Sequence, residues 1–364
     1  MRAAIALCLL LLLAAAPAAS ADSLLPPAGK ILTGVASGDS LSDFTARTGK
    51  KPAVWQHWIR WGGNYEYTFQ RAESTGTTLM LHLSTASGQN VAGVISPGEI
   101  ARGEGDRYLV NLGRRLADHG GPVYLRLFGE MNNCDLAYSS HDCSGRRRDA
   151  DHSPERFKDA WRRVVVVLRG GPVATVNVRL KALGMPALTA GPKDKPPVDL
   201  PDLPDLPGDL DDYLDEDRRV EVPVPAALPT PKVAFLWSPM TGGSPMIDAL
   251  KPGVFWPGAR YVDWVSTSFY SRYPNFHYLE PYYRQFADRY GKPFAFGEWA
   301  MWSSGDAGFV RRLFAWVRTH RRVRMMVYNQ GNETAGPFRL RNFPAAQRAL
   351  RQALRSPRFL GLSR

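Results

Sequence analysis

Two glutamates, Glu130 and Glu298, each close an apolar, strand-like run. Glu130 ends Pro122-Val-Tyr-Leu-Arg-Leu-Phe-Gly-Glu, and Glu298 ends Lys292-Pro-Phe-Ala-Phe-Gly-Glu. Bringing a carboxylate toward an apolar sheet interior costs several kcal/mol unless something compensates. Two of them at equivalent strand ends point to a shared pocket. Paired carboxylates flanking one bond are the equipment for glycosidic cleavage, one as general acid and base, the other as nucleophile. The acid needs a pKa raised by apolar surroundings or a nearby negative charge, and Leu127, Phe128 and Met131 are its apolar neighbours in sequence.

The elements that must position this pair recur along the chain. Short apolar runs begin at Ile31, Ala53, Thr77, Pro122, Val233, Val262, Pro293 and Arg324, as buried parallel strands do. Helical stretches lie between them. Ser96-Pro-Gly-Glu opens one predicted to run to about His119, and Ser153-Pro-Glu-Arg opens another to about Arg169. Further helices are predicted over 278–290, 306–321 and 344–355. Eight strands alternating with helices predict an α/β fold, a single-domain (β/α)8 TIM barrel over residues 30–356. An open doubly wound sheet is the alternative, but no Gly-rich phosphate fingerprint follows an early strand. Residues 186–231 break the rhythm with a Pro/Asp-rich run, read as an insertion between the fourth helix and the fifth strand. Its acidic stretch from Asp209 to Asp217 lacks the Gly-punctuated loop of a calcium hand.

In such a barrel the reactive groups sit at the C-terminal strand ends. Four segments carry a resemblance. They are Leu125-Arg-Leu-Phe-Gly-Glu-Met-Asn, Trp237-Ser-Pro, Pro257-Gly-Ala-Arg-Tyr-Val-Asp-Trp-Val and Lys292-Pro-Phe-Ala-Phe-Gly-Glu-Trp. In this order and spacing the chain resembles the clan A retaining glycosidases, and within them glycoside hydrolase family 26, the β-mannanases. The resemblance covers about Ile31 to Gln330, less the insertion. It implies Glu130 as acid/base and Glu298 as nucleophile. It also implies Tyr270 as a hydrogen-bond donor to the nucleophile and Arg126 beneath both carboxylates. One position departs from the pattern. Clan A enzymes usually place Asn directly before the acid/base and family 26 mannanases place His, whereas this chain has Gly129. His82 or Asn132 are candidates to fill that gap. Trp237, Trp299, Tyr328 and Asn329, at or near strand ends, are further candidates for contact with sugar.

The chain begins with Arg2, an apolar stretch from Ile5 to Ala16 and the small residues Ala19-Ser20-Ala21. This reads as a signal peptide over residues 1–21, cut after Ala21, and predicts a secreted protein without stable membrane insertion. Cys134 and Cys143 are the cysteines of the mature chain and are expected to pair as a disulfide. With His141 and His152 they match no common zinc spacing, so no metal and no cofactor are expected. The net charge of +12, much of it Arg scattered on helix-like stretches, reads as a solvated surface, with attraction to anionic polymers or a cell surface as the alternative. No basic run interleaved with aromatics suggests a nucleic-acid partner. The expected product is a monomeric, secreted endo-glycosidase acting on a β-linked polysaccharide of mannan type. The rival, supported by Gly129, is a carbohydrate- or cell-wall-binding barrel that has lost turnover. A metal- or serine-dependent hydrolase has no support: the seven histidines show no His-Glu-x-x-His spacing, and no Gly-x-Ser-x-Gly elbow is present.

Overall fold

The structure is a computed structural model that describes residues 24–36, 40–188, 225–303, 305–331 and 336–362. The predicted signal peptide and most of the Pro/Asp-rich insertion, including Asp209–Asp217, lie outside the described residues.

Eight strands form the barrel: β1 (Ile31–Ala36), β2 (Val54–Arg60), β3 (Thr78–Ser84), β4 (Val123–Leu127), β5 (Val233–Trp237), β6 (Trp264–Tyr270), β7 (Phe294–Ala300) and β8 (Val323–Asn329). Each pairs in parallel with the next, and β8 pairs with β1 to close the barrel. A two-residue strand, β9 (Phe359–Leu360), adds to the start of β1. The helices are α1 (Ser40–Thr48), α2 (Glu66–Thr75), α3 (Pro97–Arg102), α4 (Asp106–His119), α5 (Pro154–Leu168), α6 (Val173–Ala182), α7 (Phe276–Tyr282), α8 (Ala307–Thr319) and α9 (Pro344–Leu354).

Strand parity separates two cores. Val54, Met80, Tyr124, Ala234, Leu236, Trp264, Ala295, Met325 and Val327 pack together inside the barrel. Their strand neighbours of opposite parity, among them Trp55, Leu81, Leu125, Phe235 and Phe296, join the larger core between barrel and helices. Leu24 belongs to the inner core and accepts a hydrogen bond from the Tyr124 hydroxyl on its carbonyl. Arg324 donates to the carbonyls of Pro26, Pro27 and Lys30. The segment ahead of β1 therefore seals the N-terminal end of the barrel.

The caps read from sequence are formed. Ser96 and Glu99 make a reciprocal capping box at α3, and the Ser153 hydroxyl accepts from the Arg156 N–H at α5. The helix expected to run from Ser96 to His119 is two helices. Gly103, at φ +93°, ends α3 in the left-handed conformation, and α4 restarts after Gly105. A side chain at Gly105 would meet the Trp61 ring at 2.4 Å. The stretch predicted over 278–290 starts at Phe276 and passes into a π-helical turn over Tyr283–Asp288, with Pro281 inside it. Helix α6 was not read from the sequence. It precedes the insertion, whose C-terminal part at Ala227–Leu228 pairs antiparallel with Gly171–Pro172. Arg163 on α5 and Asp106 on α4, both buried, bind through two parallel hydrogen bonds and join these helices.

Candidate active site

Arg126 is the centre of the site. It is fully buried on β4 and points into the barrel from the layer above Tyr124. Its guanidinium donates to Ser238 Oγ at 3.1 Å, Ser268 Oγ at 2.8 Å, His82 Nδ1 at 2.9 Å and Glu298 Oε2. Its Nη2 also lies 4.0 Å from Glu130 Oε1. One buried cation thus faces both carboxylates.

Glu298 reaches the barrel interior through a break in parity. Phe294 and Phe296 face the helices, so an unbroken strand would send Glu298 outward with them. Register shows the break: Phe296 pairs with Thr267, yet Glu298 pairs with the next residue, Ser268. Across β8, Met326 pairs with Phe296 and Tyr328 with Trp299. Against both neighbours β7 has one extra residue there, a β-bulge at Gly297 that turns Glu298 inward. A Cβ on Gly297 would lie 2.4 Å from Ser266 Oγ, and the Gly297 N–H donates to that same oxygen. Glu298 is then held on both oxygens. Oε2 accepts from Arg126, and Oε1 accepts from the Tyr270 hydroxyl at 2.6 Å and from Asn329 Nδ2. Asn329 Nδ2 also donates to the Tyr270 oxygen at 3.0 Å.

Glu130 sits three residues past the end of β4, on a turn that L-residues rarely adopt. Phe128 has φ +46° and Glu130 φ +58°. Such conformations cost on the order of 1–3 kcal/mol each and persist when surroundings over-determine them. Here the Phe128 N–H donates to Leu83 O, the Glu130 N–H to Ser238 O, and the Tyr138 hydroxyl to Gly129 O. The Glu130 side chain is 15 % exposed, and Asn133 Nδ2 donates to its Oε2 at 3.2 Å. Burial and the negative charge of Glu298 raise its pKa, with Arg126, Ser268 and Asn133 partly opposing them. The Tyr270 hydroxyl is pushed well above its usual range by burial and by Glu298, which keeps it a donor.

His82 occupies the space that Gly129 leaves. A Cβ on Gly129 would lie 2.8 Å from His82 Nε2 and 2.8 Å from Arg126 Cζ. Arginine has no acceptor, so His82 Nδ1 must accept from it and the ring proton sits on Nε2. That Nε2 is buried with no hydrogen-bond partner. Burial, and then the charge of Arg126, drive the His82 pKa well below its usual value and keep the ring neutral.

Four expected contacts are corrected by the geometry. Asn132 is fully buried and spends its side chain on the β5 loop, donating to Met240 O and Leu250 O and accepting from Met240 N. Trp237 has outward parity; it packs against Trp256 and Phe286 and donates to Phe255 O. Trp299 is turned outward by the same bulge that turns Glu298 in, and packs on Phe314 and Tyr328. Tyr328 is outward-facing too, donating its hydroxyl to Phe338 O. None of these four offers a face to the cleft. Ser238, Ser268 and Asn133 were missed; only inward parity at strand ends signals the two serines. Cys134 and Cys143 form a disulfide, which fastens the loop after Glu130 and removes both thiolates as metal ligands. A groove of about 760 Å³ at the opposite end of the barrel, lined by Leu25, Tyr283, His320 and Arg324 among others, contains none of these residues.

No protein-family model matches the chain, and no curated protein matches it in sequence. Solved structures do. An endo-β-1,4-mannanase from Cellulomonas fimi aligns with a TM-score of 0.57 at 15 % identity, covering 94 % of this chain and 73 % of that one. The catalytic domain of an endo-β-1,4-mannanase of glycoside hydrolase family 26 from Bacillus sp. JAMB-750 gives 0.53 at 14 % identity, covering 92 % and 88 %. A family 26 β-mannanase from Bacteroides ovatus gives 0.52 at 15 % identity, covering 92 % and 90 %. At these identities the likeness establishes the fold: this chain has a (β/α)8 barrel like that of the family 26 mannanases.

Proposed function

We propose that the chain is a retaining glycoside hydrolase of mannanase type, acting on a β-linked polysaccharide outside the cell. The observation that carries this reading is that one buried guanidinium, that of Arg126, faces both Glu130 and Glu298, with Glu298 further bound by Tyr270 and Asn329. The two environments differ in the sense the chemistry needs. Glu298 receives hydrogen bonds on both oxygens, from Arg126, Tyr270 and Asn329, which fix its orientation as a nucleophile requires. Glu130 is under a raised pKa, which suits the proton donor.

In the first step a Glu298 oxygen attacks the anomeric carbon while the bond to the leaving oxygen breaks and Glu130 gives that oxygen its proton. In the second step Glu130, now a carboxylate, takes a proton from water. The hydroxide equivalent displaces Glu298 from the anomeric carbon, regenerating both groups. The carboxyl groups in this mechanism stand about 5 to 5.5 Å apart, and the product keeps its anomeric configuration. The disulfide and the sequence of residues 1–21 support export.

A second reading is favoured by Gly129, namely a polysaccharide-binding barrel without turnover. The experiment that separates them is reducing-end release from mannans, glucans and xylans by the wild type, Glu298→Gln and Glu130→Gln. Hydrolysis that disappears in Glu298→Gln, and falls about 10²–10⁴-fold in Glu130→Gln, supports the enzyme. Aryl glycosides with acidic leaving groups should suffer least from Glu130→Gln, because they need no proton to depart. Binding to one polymer with no release from any would sink the hydrolase in favour of the binder.

A further inference from the structure

We propose that the cleft carries an anionic-sugar subsite built from Arg272, Trp302 and Tyr273, so that the substrate is a β-linked glycan bearing uronate carboxylates. This rests on the glycosidase reading above and narrows its substrate.

The subsite adjoins the nucleophile. Tyr270, which binds Glu298, meets the Trp302 ring edge-on with centroids 5.6 Å apart, and Phe338 backs Trp302 at 5.2 Å. Trp302 lies two residues beyond β7 and Arg272 two beyond β6. The Ser271 hydroxyl accepts from the Trp302 N–H at 2.8 Å and donates to the Trp302 carbonyl at 3.2 Å, while Ser271 N–H donates to Ala300 O. These bonds fasten the two loops to each other, so Arg272 is presented by a fixed base.

The Arg272 guanidinium lies over two rings, 5.0 Å from the Trp302 centroid and 5.6 Å from that of Tyr273. Stacking of this kind uses the faces of the cation and leaves its N–H edges open. Among the described residues no carboxylate lies within 4.0 Å of Arg272, and it makes no hydrogen bond. Arg260 and Arg289 also lie over the tyrosine next to them in sequence, but Arg272 alone among these three lies over a second ring, that of Trp302, which borders Tyr270. Tyr273 is left 53 % exposed, so the shelf adds little to the core. A planar fork stacked beside the cleft, with no ion pair among the described residues, is shaped for bidentate binding of a carboxylate. Arg272 is separated from Glu298 by Trp302 and Tyr270; it selects substrate and does not touch the reacting atoms.

The test compares β-1,4-mannohexaose with glucuronate-bearing β-mannan oligosaccharides of equal length. The preference for the acidic oligosaccharide is measured as a ratio of kcat/KM in the wild type and in Arg272→Gln, at low salt and at 0.5 M NaCl. Binding of both probes to Glu298→Gln, with and without Arg272→Gln, is measured by calorimetry. The proposal expects a wild-type preference that falls about tenfold in Arg272→Gln, and falls with salt as a charge pair should. Equal ratios in wild type and variant overturn it, as does failure of the acidic oligosaccharide to bind Glu298→Gln. Arg272-dependent binding without hydrolysis would leave the subsite standing and remove the glycosidase. Glu298-dependent hydrolysis that ignores Arg272 would do the reverse.

Discussion

Glu130 and Glu298 are the same residue type given different characters by their neighbours. Because the Glu298 charge helps raise the Glu130 pKa, Glu298→Gln should lower it, and carbon NMR titration of labelled glutamate would show the shift. On the proposed glycosidase reading the rate should fall as pH rises through the raised Glu130 value, because its proton is lost. The same shift acts on stability. A carboxyl whose folded pKa lies above its unfolded one contributes stability that is full below the unfolded value and lost as pH rises through the folded value. Glu130→Gln should therefore melt higher than the wild type near neutral pH, and the gap should close in acid. His82 and Gly129 form a second coupled pair. Asn at 129 would place its Cβ against both His82 and Arg126, an overpacking cost of about 1–3 kcal/mol. Removing the ring in a His82→Ala/Gly129→Asn double variant should recover part of that loss, with a coupling of roughly 0.5–3 kcal/mol in denaturant titrations. Strictly additive effects would show that the ring does not fill the Gly129 gap.

At the scale of elements, strand parity decides which side chains see the cleft. Trp299 and Trp302 are three residues apart, yet one packs on α8 and the other borders Tyr270. Trp299→Phe should cost stability by about 1–3 kcal/mol as a core truncation while leaving KM unchanged. A raised KM without lost stability would contradict that placement. The eight strands, the caps at Ser96 and Ser153, and both glutamates were legible in the sequence, because apolar runs, Ser-Pro starts and carboxylates at strand ends are local signals. The bulge at Gly297 was not. It is defined by pairing with β6 and β8, and without it Glu298 and Trp299 exchange sides. That is why residue type alone could single out Glu298 as a candidate while the side taken by Trp299 beside it was misread. Trp237 and Tyr328 were misread for a related reason: position at a strand end says where along the barrel a ring lies and nothing about which side it takes. Asn132 was misread because its partners, Met240 and Leu250, come from a loop more than a hundred residues away.

At the scale of the whole molecule, the barrel has a working end and a sealed end. The seal is local in sequence, since Leu24 to Lys30 supply the inner-core plug and the carbonyls that Tyr124 and Arg324 bind. A chain starting at residue 28 should melt several degrees below one starting at Asp22, because it leaves buried partners unmatched and exposes the inner core. Equal melting temperatures in calorimetry would show that the plug is dispensable. No helix among the described residues is long and apolar enough to cross a membrane. Leu24 at the floor and β9 beside the start of β1 place both ends of the described chain away from Glu130 and Glu298. The geometry therefore supplies a built-in handle. Anything fused ahead of Leu24, whether an affinity tag, a bead or a second protein, is attached at the floor and leaves the mouth around Glu130 and Glu298 unobstructed.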